Sequence, residues 1–220
     1  MGFFFIKKLS CIVLISYKRI MKQINNISPL LLEHELQEDP VIIRVNKFNE
    51  SSVKSFHQNI TTAHNTGQTV IPIIIDSYGG EVYALMSMIS AIKHSTVPIA
   101  TIIEGKAMSC GAILFSFGHE GMRFMDPEAT MMIHDVSTWE GGKIEELKAS
   151  AAEGDRINQK VYTMMARNCG KNDDYFLKLV HKKGHADWYL DGEAALKHNL
   201  ANELRIPDLH LNVSVDIRLK

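Results

Sequence analysis

From residue 41 onward the chain alternates between short apolar runs and longer amphipathic segments, and this alternation limits the fold more than any single residue does. VIIRV (41–45) reads as a strand. The segment behind it, NESSVKSFHQNITTAHNT, brings Val53, Phe56, Ile60 and Ala63 to one helical face, with serines placed to cap its start. TVIPIII (69–75) is a second, buried strand. Gly79-Gly80 breaks it, and Val82, Leu85, Met86, Ile89 and Ile92 mark a helix ending near His94. VPIATIIEG (97–105) is a strand again, SCGAILFSFG (109–118) a short apolar helix closed by glycine, and TMMIH (130–134) a strand that ends on a histidine. Repeated succession of this kind predicts an α/β fold with a mainly parallel sheet and right-handed crossovers.

The region from Lys143 to about Cys169 reads as one long helix whose apolar residues, Ile144, Leu147, Ile157, Val161, Met164 and Met165, are sparse for its length. A helix of about 25 residues spans roughly 40 Å. It is therefore expected to project and to bury those residues between subunits, with Ile157 and Val161 in the contact. Asp173 to Lys183 reads as another helix, and Asp191 caps a last one through His198.

Composition bounds the rest. The chain has 220 residues, 45% hydrophobic and 22% charged, which suits one globular domain. Net charge is −1 with scattered basic residues, so no nucleic-acid footprint is expected. Cys11, Cys110 and Cys169 form no C-x-x-C pair, which argues against a disulfide framework or zinc site and fits a reducing, cytoplasmic setting. Phe3–Ile6 and Leu9–Ser16 are apolar bursts too short to span a membrane, and they lack the order of a signal peptide. Met21 offers an alternative start. Residues 1–20 are thus expected to be a non-core extension, 21–210 a single domain and 211–220 a tail.

Reactive groups in open α/β sheets collect where strands end and helices begin. Two such junctions stand out: DSYGGEV (76–82), and KAMSCGA, with Ser109 at the mouth of the apolar helix. Neither contains G-x-G-x-x-G, a P-loop lysine motif or the G-x-S-x-G elbow. Ser109 is either a simple N-cap or a nucleophile, and the glycines either an ordinary turn or backbone shaped for a ligand. A serine nucleophile needs a base, an orienting acid and oxyanion donors. His134 is the candidate base. His181 and His185 lie four apart, but Gly184 interrupts them and no carboxylate partner is evident, so no metal or other cofactor is expected.

Four blocks in order, IDSYGGEV, GKAMSCGA, MMIHD and DWYLDGEAALKHNLANEL, resemble the Clp protease proteolytic subunit (ClpP) family over residues 70–204, in a compact, divergent form of the kind bacteriophages carry. The resemblance implies a ClpP/crotonase-like fold of repeated β-β-α units with a mainly parallel sheet and a projecting handle helix. It implies a serine endopeptidase acting on extended polypeptide: Ser109 as nucleophile, His134 as general base, Asp187 orienting the imidazole. The backbone N–H groups of Gly79 and Cys110 would form the oxyanion hole, with Gly80 and Gly142 beside the substrate. It also implies self-association into a ring, a second ring stacked on it, and an ATP-dependent unfoldase as partner. Tyr78 and Asp135-Val136 stand where the family has prolines, and Trp188 where it has an inter-ring arginine. Two alternatives share these residues: a catalytically inactive scaffold or ring partner, and a crotonase-like acyl-CoA enzyme in which paired amides hold a thioester enolate.

Overall fold

A computed structural model describes residues 40–137, 141–184 and 186–209. The expected extension at 1–20, the domain start at 21 and the tail at 211–220 lie outside the described residues. Among those described, one sheet contains β1 (Ile43–Val45), β2 (Ile71–Ser77), β3 (Ile99–Met108), β4 (Arg123–Met125), β5 (Thr130–Ile133) and β6 (Trp188–Leu190). The helices are α1 (Glu50–Asn65), α2 (Val82–Lys93), α3 (Cys110–Phe115), α4 (Ile144–Asn168), α5 (Tyr175–Lys182) and α6 (Gly192–Lys197). Strand order is β1-β2-β3-β5-β6, with β4 also paired to β3. All pairings are parallel except β5 with β6. The α/β class and mainly parallel sheet are those the sequence implies.

Burial on both faces explains why the central strands read as unbroken apolar runs. Ile71, Ile73 and Ile75 of β2 and Ile99 and Ile103 of β3 join the main core, into which Phe56 and Ile60 of α1 and Leu85 and Ile89 of α2 also pack. Ile74, Ala100, Ile102 and Phe124 form a smaller cluster of their own. Asn49 caps α1: its side chain accepts from the Ser52 N–H while Ser52 Oγ accepts from the Asn49 N–H, both at 2.9 Å. Asp191 caps α6 through the Ala194 N–H at 2.8 Å.

β3 has two partners on one edge. Thr101–Ile103 pair with β4, and Lys106–Met108 with β5. Toward β2 the register breaks, with Ile75 opposite Ile103 but Ser77 opposite Ala107. The extra residues on β3 give an irregularity of the bulge type, which re-aims a strand end. Ser109 lies at that end.

α4 divides along its length. Ile157, Asn158, Val161, Tyr162, Met165 and Ala166 are buried in the chain's own core, whereas Ile144 and Leu147 are 70% and 40% exposed. This corrects the expectation that Ile157 and Val161 lie between subunits. Hydrophobic spacing marks a stripe but not the body it packs against. The whole helix runs 25 residues, about 38 Å, and its exposed N-terminal end is the projecting part.

β4 and β6 had no counterpart in the pattern reading. β4 holds Arg123, which is fully buried. Its guanidinium donates to the carbonyls of Leu200 (2.9 Å), Gly118 (3.2 Å) and Asn199 (3.2 Å), with Glu120 at 3.4 Å as counter-charge. The Asn202 N–H returns a bond to the Arg123 carbonyl at 2.8 Å. One side chain thus fastens residues 199–203 to the sheet. Arg123→Met strips the donor from three carbonyls, each worth about 1–3 kcal/mol when left unpaired. The expected loss is at least about 3 kcal/mol, a fall in Tm of roughly 6–12 °C, to be read by thermal unfolding.

Candidate active site

β3 ends at Met108 and α3 begins at Cys110, so Ser109 turns the chain between them. Its backbone is at φ 54°, ψ −119°, the left-handed side where non-glycine residues are strained. Two bonds hold it there: its N–H donates to the Met132 carbonyl at 2.8 Å and its carbonyl accepts from the Ile113 N–H at 3.2 Å. Ser109 therefore occupies the N-cap position, but its hydroxyl makes no cap bond. Of the two readings open from the sequence, simple capping does not account for the hydroxyl.

Gly79 and Gly80 are both required by geometry. At φ 102°, a Cβ on Gly79 would lie 2.8 Å from Ser109 Cβ and 3.2 Å from its Oγ. At φ 151°, a Cβ on Gly80 would lie 2.5 Å from the Phe48 carbonyl oxygen. Buried Ser77 shapes the turn by donating to the Asn46 carbonyl and accepting from the Gly79 N–H, each at 3.0 Å. That hydroxyl-to-N–H step of two residues is a local turn bond. The Gly79 N–H is thus occupied, while the Gly80 N–H donates to no group among the described residues. The N–H of Cys110, first in α3, has no intrahelical acceptor. The Cys110 side chain is buried and its thiol donates to the Gly80 carbonyl at 3.2 Å. Burial raises its pKa, which keeps it protonated and a poor nucleophile.

His134 follows β5 and is half-buried. Ser109, Cys110, His134 and Gly80 line one cavity of about 150 Å³. Two residues of α4, Asn158 and Tyr162, hold the backbone around the histidine. The Tyr162 hydroxyl donates to the His134 carbonyl at 2.5 Å, and the Val136 N–H donates to Asn158 Oδ1 at 2.8 Å. Burial, reinforced by the Asp135 carboxylate, raises the Tyr162 phenol and keeps it a donor. Asp187 is exposed and stands just before β6. The β5–β6 ladder pairs Met132 with Tyr189 and Ile133 with Trp188, and His134 and Asp187 each stand one residue beyond its end. No hydrogen bond joins Ser109, His134 and Asp187 to one another among the described residues.

Gly142 is exposed, and a Cβ there would meet Glu146 Oε2 at 2.5 Å; it does not line the cavity. Trp188 is core, edge-on to His198 at 5.0 Å. Trp139 and His185 lie outside the described residues. Tyr78, 78% exposed, carries Lys106 Nζ 4.5 Å above its ring, and the same ammonium donates to Asp76 at 2.8 Å. Asn158 and Tyr162 were missed from the sequence, although two polar-tipped residues four apart beside Ile157 and Val161 on a sparse apolar stripe are a readable signal. Among the described residues no cluster of metal-ligating side chains is present, and no helix is long and apolar enough to cross a membrane.

Residues 28–205 match the Clp protease family. The chain is 28% identical over 134 residues to the ATP-dependent Clp protease proteolytic subunit 1 of Rhodopirellula baltica, covering 61% of this chain and 57% of the relative. It is 29% identical over 136 residues to the ATP-dependent Clp protease proteolytic subunit of Streptococcus mutans, covering 61% of this chain and 67% of the relative. The like-named protein of Porphyromonas gingivalis is 28% identical over 134 residues, with 61% and 59% covered. The matched stretch thus spans between 57% and 67% of these relatives' own length.

The strain at Ser109 has a measurable consequence. Glycine relieves a backbone cost of about 1–3 kcal/mol while adding about 0.5–1 kcal/mol of chain entropy to lose on folding. Ser109→Gly is expected to melt about 2–4 °C above Ser109→Ala, which keeps the strain, in calorimetry of the two variants.

Proposed function

This chain belongs to the Clp protease family, and from that premise we propose that it is a serine endopeptidase in which Ser109 attacks the peptide carbonyl, His134 takes and returns the proton, and Asp187 orients the imidazole. The observation that carries the reading is the strained Ser109, its hydroxyl released from capping and set in one cavity with His134. The oxyanion donors in this proposal are the N–H groups of Cys110 and Gly80. Gly80 takes the role expected of Gly79, whose own N–H is bonded to Ser77. Each such donor contributes on the order of 3 kcal/mol to the barrier when aimed at the developing charge. Substrate in extended form lies beside the Gly79-Gly80 segment. Gly142, outside the cavity, acts only on more distant substrate residues. No cofactor enters the reaction.

Assembly is part of the proposal. The exposed end of α4, with Ile144 and Leu147, is the surface for a second copy, in a closed ring or stacked rings. The buried end of the same helix bonds the backbone of His134 and Val136, so seating α4 against a partner also seats the base. An ATP-dependent unfoldase as partner and a cytoplasmic location complete the proposal, supported by membership of the family.

A fluorophosphonate probe is expected to label the wild-type chain and Cys110→Ala, but not Ser109→Ala, which should fold normally and lose peptide hydrolysis. A wild-type chain that takes no label is the inert scaffold instead. Ile144→Asp with Leu147→Asp is expected to lower the mass in light scattering with little change in Tm. Ile157→Asp should unfold the chain, because it buries a charge.

A further inference from the structure

Beside Ser109 and His134 the cavity is walled mostly by apolar side chains, Val82, Ile113, Val136 and Val161, with room for one group about the size of a benzene ring. Asn158 interrupts that wall. It is 9% exposed, and its orientation is dictated by its neighbour: the Val136 N–H requires an acceptor, so Oδ1 is the branch turned toward it, at 2.8 Å. The other branch, Nδ2, is therefore turned away from that bond. It carries two N–H donors, and neither donates to any group among the described residues. Glu81, exposed at the N-cap of α2, is another residue lining the cavity, and its carboxylate makes no ion pair or cap bond among them.

We propose that Asn158 sets the side-chain preference at the cleavage position, selecting a neutral, carbonyl-ended side chain, glutamine first, on the acyl side of the cut bond. The inference rests on the peptidase reading above. A glutamine carboxamide offers its oxygen to Asn158 Nδ2 and its NH₂ to Glu81. A straight aliphatic chain of the same length fills the cavity but takes solvent from these donors without pairing them, which is where such sites discriminate. A lysine ammonium can pair with Glu81 but brings donors against donors at Asn158, which leaves the amide's N–H groups unmatched. A glutamate brings its charge toward Glu81, and no lysine or arginine lines the cavity to balance it.

The test uses full-length chain and peptides that differ only in the residue before the cut: glutamine, norleucine, lysine or glutamate. Hydrolysis is measured on the wild type. Binding of product-like peptides ending in each residue is measured by calorimetry on Ser109→Ala. Glutamine is expected to exceed norleucine about fivefold in both, the ratio one net hydrogen bond gives. Asn158→Asp keeps the acceptor for Val136, replaces the donors with an acceptor, and should bring lysine above glutamine. Norleucine equal to or better than glutamine in the wild type overturns the proposal, as does a glutamine preference that survives Asn158→Asp. Should that variant not fold, the wild-type ranking decides alone. The glutamine ranking in binding without any hydrolysis supports the pocket assignment and removes the peptidase reading. Hydrolysis without the ranking does the reverse.

Discussion

The close approach of the β2–α2 turn to Ser109 is the constraint on which the site depends. A Cβ at Gly79 would stand 2.8 Å from that of Ser109, closer than side chains pack, and a Cβ at Gly80 would strike the Phe48 carbonyl. Two glycines, both with positive φ, let two backbones lie side by side where residues with side chains would hold them apart. The irregular register between β2 and β3, the bond from the Gly79 N–H to Ser77 Oγ and the bond from the Ser109 N–H to the Met132 carbonyl all serve this one juxtaposition. What they bring together around one cavity is Ser109, His134 and the N–H groups of Gly80 and Cys110, of which the first donates to no group among the described residues and the second has no intrahelical acceptor.

α4 answers to two surroundings at once. Its C-terminal half is core and reaches the backbone of His134 and Val136 through Tyr162 and Asn158. Its N-terminal half carries apolar residues into solvent. A rigid helix with such ends transmits rotation or shift from the outer half to the inner one, because the packed half has no slack in which to absorb it.

How far the sequence showed this differs from residue to residue, for physical reasons. The alternation of elements was legible because strands buried on both faces must be apolar throughout, and Asp191 was legible as a cap because the capping chemistry is local. Ser109 stood out because small residues surround it. β4 did not, since a buried arginine satisfied by carbonyls from far along the chain leaves no local pattern. Ile157 and Val161 were misplaced because periodicity shows a face and not what covers it. Which glycine keeps its N–H depended on Ser77, two residues upstream of Gly79, a short-range turn signal present in the sequence but outweighed by the family pattern.

Arg123 has a consequence for the order of events during synthesis. Its guanidinium partners at Asn199 and Leu200 lie 76 and 77 residues further along the chain. As the polypeptide leaves the ribosome, β1 to β3 and their helices are complete long before those carbonyls exist. Until they arrive, burying the arginine means burying a charge without its bonds, which is costly enough to keep β4 hydrated. The region around it, with Gly118 and the end of α3, stays open while the next 76 residues are made. The last part of the sheet to close is therefore the strand pairing that runs through β4, and closure follows the emergence of residues 199–203.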